Sequence, residues 1–338
     1  MSTANPIKSD IDFDAPGKQV GYLRLPHSVN RSAYGWIPIP VASIRNGTGP
    51  TFLITAGSHG DEYEGQIIVA RLIRELQPSM IQGQVILLPM TNFPAAEAGT
   101  RTSPLDDGNL NRLYPGNPAG TPTQVIAHYI ESVLLARAEY MVDLHSGGTS
   151  LVYEGANMMG LEPRDAEEEV RVSGLLRAFG LPKAFLYQPN PVNVTAAARR
   201  QGAICFLTEL GGGGQVSSRL VDLARQGLLN LLAHVGILSG ELVPASAPAV
   251  PRMMRIDRGA HYVYALNAGV WEPLVELGDH VEAGQAAALI HFPDEPLREP
   301  VTVDFVGSGE VICKRALAQV RVGDCLLELA EARTGIIV

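Results

Sequence analysis

Between about residues 40 and 240, short apolar runs alternate with longer amphipathic stretches, the pattern of βα units laid around a mostly parallel sheet. "TFLITA" (51–56), "QVILLPM" (84–90), "EYMVDL" (139–144), "KAFLY" (183–187) and "AICFLTE" (203–209) read as strands. From Tyr63 to Leu76 the apolar residues Ile68, Leu72 and Leu76 recur at helical spacing, and Gln124 to Leu135 repeats this with Val125, Tyr129 and Val133. Both segments are expected as helices packed on the sheet. Residues 92–122 are instead rich in Gly, Pro, Asp, Asn and Thr without a sustained period, and so long a loop in a compact domain usually carries function.

At 338 residues the chain exceeds one ordinary domain. The stretch "LSGELVPASAPAVP", Leu238 to Pro251, is the expected boundary. The amino-terminal unit, 1–240 with its first strands in 1–50, is then α/β. The remainder, 250–338, shows short β-type runs broken by turns, with Gly278-Asp279 and Gly323-Asp324 at corresponding places in two halves. This pattern resembles the barrel-sandwich fold of biotinyl and lipoyl carrier domains, but "HFPDEP" stands where their modified lysine would sit.

A net charge of −9 without any basic cluster argues against a nucleic-acid or anionic-membrane partner. No apolar run reaches the roughly 18 to 20 residues of a spanning helix, and "MSTANPIKSD" is not a secretory leader, so a cytoplasmic protein is expected. Cys205, Cys313 and Cys325 lie singly in apolar runs and read as buried, inert thiols.

The chemistry gathers at three strand ends. "GSHGDEYEG" follows the first strand and presents His59 and Glu62 as an H-x-x-E pair at the sheet edge where α/β folds bind ligands. Imidazole plus carboxylate is a normal zinc pair, although a solvated helix start gives the same letters. In "YMVDLHSGG", Asp143 and His145 point to one face of a strand, so Asp143 can orient His145. "AICFLTELGGGG" delivers Glu209 to a third strand end, where burying a carboxylate is costly without a purpose. Two histidines and a glutamate as ligands, with a further carboxylate for proton transfer, make the composition of a catalytic zinc site. The loop "RTSPLDDGNLNRLYPG" adds Arg101 and Arg112, with Asn109 and Asn111 beside them, as positive charge for an oxyanion or a substrate carboxylate.

The succession H-x-x-E, an arginine, "NLNRLYPG", "DLHSGG" and "TELGGGG" resembles the succinylglutamate desuccinylase and aspartoacylase family, relatives of the carboxypeptidase A-like zinc hydrolases. The resemblance implies one zinc per chain held by His59, Glu62 and His145, and Glu209 as general base. It implies Arg101 polarising the scissile carbonyl, and Asn111 with Arg112 binding a substrate carboxylate. The family usually carries aspartate where this chain has Asn109. Within the family, the opening "DFDAPGKQVGYLRLPHSVNRSAYG" looks most like the branch that deacetylates N-alpha-acetyl-L-2,4-diaminobutyrate in ectoine breakdown. The implied partner is a small N-acyl amino acid. Desuccinylase or aspartoacylase activity, a peptidase, and a non-catalytic binding or carrier protein are the alternatives, and assembly into a homo-oligomer is open.

His27, His128, His234, His261, His280 and His291 read as structural or surface residues. Asp61 and Glu64 read most simply as helix-start carboxylates. Ser146 is not in a G-x-S-x-G elbow, and Gly211 to Gly214 lack phosphate-loop spacing, so they read as room for close backbone approach near the metal. Tyr262 and Tyr264 read as core or interface aromatics, with a tyrosine over the zinc if the second domain covers the cleft.

Overall fold

The computed structural model describes residues 4–243, 248–257 and 259–333. The chain opens with the antiparallel strands β1 (Lys8–Ser9), β2 (Gly17–Pro26) and β3 (Trp36–Asn46). Alternating strands and helices follow: β4 (Thr51–Ala56), α1 (Tyr63–Glu75), β5 (Gly83–Leu88), α2 (Phe93–Ala98), α3 (Pro122–Tyr129), β6 (Tyr140–His145), β7 (Leu151–Leu161), α4 (Ala166–Phe179), β8 (Lys183–Tyr187), α5 (Val194–Arg200), β9 (Ile204–Gly212) and α6 (Ser218–His234). The expected helix over 124–135 is α3 continued by one π turn, Ile130–Leu134. The long loop contains α2, which the sequence reading leaves out. Pro94 fixes the first turn of that helix, and Gly99, at φ 63°, ends it. Of the expected boundary at 238–251, residues 244–247 lie outside the described residues.

The fold is mixed α/β, with one large sheet and a second, antiparallel one. Among the described residues the large sheet has 14 strands and runs outward from β1 through β2, β3, β5, β4, β6, β9, β7 and β8. Among the described residues, parallel pairing joins β5-β4-β6-β9, β7 to β8, and β8 to β10 (Arg252–Arg255). The hairpin β2–β3 runs antiparallel, as do β3 against β5 and β7 against β9, so the sheet is less parallel than the alternation suggests.

Period-two alternation splits the apolar side chains of the central strands between two faces. Phe52, Ile54, Val85, Leu87, Val142 and Leu144 pack with Leu72 of α1, Leu176 of α4 and Leu228 of α6. The intervening Leu53, Ile86, Leu88, Met141 and Leu207 pack with Val125 of α3, Ala197 of α5 and Ile39 of β3.

After residue 251 come β10 (Arg252–Arg255), β11 (Tyr262–Tyr264), β12 (Gly269–Pro273), β13 (His280–Val281), β14 (Ala286–His291), β15 (Val301–Asp304), β16 (Gly309–Arg315), β17 (Gln319–Val320) and β18 (Cys325–Ala332). Strands β15, β14, β12 and β17 form the second sheet, over a core that includes Trp271, Ile290 and Phe305. The others join the large sheet: β10 extends β8 in parallel, and β16 pairs antiparallel with β7. At this seam the buried Lys183 reaches Glu310 at 2.6 Å and also meets Glu154, while Arg252 donates to Glu310 at 2.8 Å.

The three cysteines are free, and burial pushes each thiol up from its ordinary value, to about 11 for Cys325. Among the described residues no helix is long and apolar enough to cross a membrane.

Candidate metal centre

β4, β6 and β9 lie side by side, and their carboxyl ends carry the predicted chemistry. The register places Thr55 beside Asp143 and His145 beside Glu209. His59 and Glu62 lie on the turn from β4 into α1. That turn is tight against α2, since a Cβ on Gly60 would fall 1.8 Å from Ala95 O. Glu62 is the N-cap residue of α1, yet its side chain makes no capping hydrogen bond. Its two oxygens face the histidines: Oε1 lies 2.7 Å from His59 Nδ1, and Oε2 lies 2.9 Å from His145 Nδ1. All three side chains are buried, and one ligand atom from each can be chosen so that all lie within 4.8 Å of one another. Two imidazole nitrogens and a carboxylate oxygen converging in a buried site fit a metal ion of the zinc class.

The far nitrogens of both rings are occupied. His145 Nε2 lies 2.8 Å from Asp143 Oδ2, so Asp143 faces His145 from the side away from Glu62. Asp143 is itself held by the hydroxyls of Thr55 at 2.7 Å and Ser58 at 2.9 Å. His59 Nε2 lies 3.1 Å from Asn109 Oδ1. Burial alone would raise the carboxyl of Glu62, but the adjacent His59 and His145 outweigh it and hold that group well below the usual carboxylate range. Burial likewise opposes charge on His145, and Asp143 and Glu62 overcome it, raising the imidazole well above its ordinary value.

Glu209 stands on β9 beside His145, and its Oε2 is enclosed with no hydrogen-bond partner among the described residues. Burial and the charge of Glu62 push its carboxyl well up, with His145 and Arg101 partly offsetting them. A buried carboxylate with a raised proton affinity and a free oxygen suits proton transfer. Arg101, 45% exposed, brings Nη1 to 3.6 Å from Glu62 Oε1. Asn111 accepts the Val194 N–H on Oδ1 at 2.9 Å, which leaves its NH2 as the group to offer elsewhere. Arg112 donates to the Asn111 carbonyl at 2.8 Å.

His59, Glu62, Arg101, Asn111, Arg112, His145 and Glu209 all line one cleft of about 1570 Å³, and Asp143 stands behind His145. Part of its lining comes from the carboxyl-terminal strands, through Arg255, Tyr262, Arg315 and Glu331. Tyr262 thus reaches the cleft, while Tyr264 stacks on it with ring centroids 6.1 Å apart.

Asp61 and Glu64 stand at the start of α1, Glu64 in its first turn, and both are buried. Asp61 Oδ2 accepts both the N–H and the hydroxyl of Thr149 at 2.8 Å, and Glu64 Oε1 accepts the Ser217 N–H at 3.3 Å. Both thereby hold the loops that follow β6 and β9. Gly211 to Gly214 all have positive φ, from 61° to 137°, and the segment is bonded to the loop after His145 through Gly147 N to Gly211 O and Gly214 N to Gly148 O. The glycines serve loop-to-loop approach. The sequence signal for these contacts was the density of carboxylates in "GDEYEG", and for Asn109 its place in "NLNRLYPG", where the family usually carries aspartate.

Residues 48–235 match the family model of the succinylglutamate desuccinylase/aspartoacylase catalytic domain. The chain is 38% identical over 330 residues to an N-alpha-acetyl-L-2,4-diaminobutyric acid deacetylase of Halomonas elongata, covering 97% of this chain and 95% of that protein. It superposes with a TM-score of 0.90, at 36% identity, on a succinylglutamate desuccinylase/aspartoacylase crystal structure from Rhodobacter sphaeroides, covering 97% of this chain and 100% of the other. The product-bound structure of an ectoine utilization protein from Ruegeria pomeroyi gives a TM-score of 0.91 at 34% identity, with the same coverage. The chain belongs to the succinylglutamate desuccinylase/aspartoacylase family.

Proposed function

We propose that the protein is a cytoplasmic, zinc-dependent deacylase that hydrolyses the amide bond of a small N-acyl amino acid, with N-alpha-acetyl-L-2,4-diaminobutyrate as its substrate. The observation that carries this is the convergence of His59, Glu62 and His145 beside the free carboxylate oxygen of Glu209 in one cleft. The choice of substrate rests on the Halomonas elongata deacetylase, similar along almost the whole chain. We read 1–240 as the catalytic unit and 250–338 as a small β unit that supplies part of the cleft wall.

His59, Glu62 and His145 would hold the zinc, which supplies Lewis acidity and makes a water molecule acidic near neutral pH. Glu209 takes a proton from the attacking water and passes it to the leaving amine, so that acetate and the free diamino acid separate. Arg101 sets a guanidinium beside the reacting carbonyl, where negative charge develops. The Asn111 amide and the Arg112 guanidinium bind the α-carboxylate and fix the amide over the site.

The test is amine release from a panel of N-acetyl, N-succinyl and N-formyl amino acids that includes N-alpha-acetyl-L-2,4-diaminobutyrate. The expected result is selective turnover of that compound, abolished by chelation and restored by zinc. Equal, poor turnover of every member would refute the substrate, and full activity in metal-free protein would refute the zinc.

A further inference from the structure

The proposed substrate carries three groups to be recognised: an α-carboxylate, an acyl amide and, two methylene groups beyond Cα, an ammonium. Asn111 and Arg112 answer the first, and the metal centre with Arg101 answers the second. The hydrolytic steps leave the cation unanswered.

Strands β7, β16, β18 and β11 pair antiparallel in that order, and their register sets Tyr153 beside Cys313, Cys313 beside Glu328, and Glu328 beside Tyr262. Directly opposed antiparallel residues share a face, so these four side chains form one row across the seam between the two units. The ends of the row, Tyr153 and Tyr262, line the cleft, while Cys313 and Glu328 between them are only 2% and 6% exposed. Glu328 is thus a buried acid at the cleft that the hydrolytic steps do not use.

Its charge is felt along the row. Burial pushes the Tyr153 phenol well up, and Glu209 and Glu328 add to the effect. Burial, then Glu328 and Glu209, do the same to the Cys313 thiol. Tyr153 and Cys313 therefore stand in a field from both acids, where more negative charge is disfavoured and a cation is favoured. Aromatic rings suit the same guest, because a ring face attracts a cation. Tyr262 is steadied by Tyr264, which stacks on it.

We propose that Glu328, with the rings of Tyr153 and Tyr262, forms the subsite for the substrate's side-chain ammonium, so that the carboxyl-terminal unit selects a cationic amino acid. The proposal rests on the deacylase reading given above and names the group that chooses its substrate. Glu162 and Glu331 also line the cleft, but their side chains are 24% and 39% exposed, where water weakens their attraction for a cation.

The test uses full-length, zinc-loaded protein and two substrates of one shape: N-alpha-acetyl-L-2,4-diaminobutyrate and N-alpha-acetyl-L-norvaline, in which a methyl group replaces the ammonium. The readout is the ratio of their kcat/KM values, with zinc content and circular dichroism as controls for metal and fold. Glu328→Gln is expected to lower the ratio roughly 10- to 100-fold, as loss of a hydrogen bond to a charged group does. Glu331→Gln is expected to leave it within about 5-fold of the parent's. Tyr262→Leu should lower it roughly 2- to 30-fold by removing a ring face, and it decides the matter if Glu328→Gln does not fold. An unchanged ratio in Glu328→Gln, or in Tyr262→Leu where that variant decides, overturns the proposal and leaves the deacylase reading intact. A fall in Glu331→Gln as large as in Glu328→Gln, or a parent that hydrolyses both compounds equally well, does the same. A parent that hydrolyses neither refutes the deacylase reading and the proposal with it.

Discussion

The ion cluster at the seam between β8 and β16 gives a prediction whose size follows from its geometry. Lys183 and Glu310 have side chains only 5% and 6% exposed and stand 2.6 Å apart. Arg252, 56% exposed, supports Glu310 from the surface, and Glu154, 38% exposed, shares Lys183. Lys183→Met keeps most of the buried aliphatic stem and removes the charge. Glu310 then remains buried with the partially hydrated Arg252 at 2.8 Å and the exposed His280 at 4.0 Å, while Glu154 regains water. Breaking a buried pair costs roughly 3–5 kcal/mol, and the surviving Arg252 contact places the expected loss at about 3 kcal/mol. The double variant Lys183→Met with Glu310→Met leaves no buried charge and is expected within about 1 kcal/mol of the parent. Urea unfolding followed by circular dichroism at pH 7 measures both. The pH dependence supplies a second check. Burial alone would raise the Glu310 carboxyl, but Lys183 and Arg252 outweigh it and hold the group below the usual range. A carboxyl depressed on folding contributes stability above its ordinary pKa of 4.5 and loses it as pH falls through the lowered value. The gap between parent and Lys183→Met should therefore narrow below about pH 4. A single variant within 1 kcal/mol of the parent at pH 7, or a gap that widens in acid, would refute the reasoning.

Two further outcomes follow from the site. Glu209→Gln should retain zinc, measured by metal analysis, and lose turnover by roughly 10²- to 10⁴-fold, the range expected of a general base, whereas His145→Ala should lose the metal as well. Thr149→Val removes one of the two hydrogen bonds to Asp61 Oδ2 and should cost about 1.5–3 kcal/mol, as bonds to charged groups do, while Thr149→Ser restores most of it; equal stability of the two would refute a clamping role for Asp61.

The parts of the protein legible from sequence are those in which one local signal has one physical meaning. Strands β4, β5, β6 and β9 read as apolar runs because both their faces are buried, and α1 reads as a helix because its apolar stripe meets the sheet. His59 and Glu62 are close in sequence because one turn presents both. Strand β7 was less legible, being only half-buried over Leu151–Gly155, with Gly155 at φ 68° inside it. The helix-start position of Asp61 and Glu64 was legible, but their burial was not, since only tertiary contact with the loops after β6 and β9 encloses them. Asn109 meets His59 because a 31-residue loop folds back onto that ring, a contact its place in "NLNRLYPG" does not by itself show. The entry of β10 and β16 into the large sheet was also hidden, since pairing partners 69 and more residues away leave no periodic mark.

The pairing of β10 with β8 has a consequence for any attempt to shorten the chain. Ending it near residue 240 would strip the outer edge of β8 and part of β7, exposing rows of unbonded N–H and C=O groups beside the apolar "KAFLY". Such an edge recruits another strand, so a truncated protein should self-associate through edge-to-edge pairing. The carboxyl-terminal strands thus act as a built-in guard against aggregation as well as a wall of the cleft.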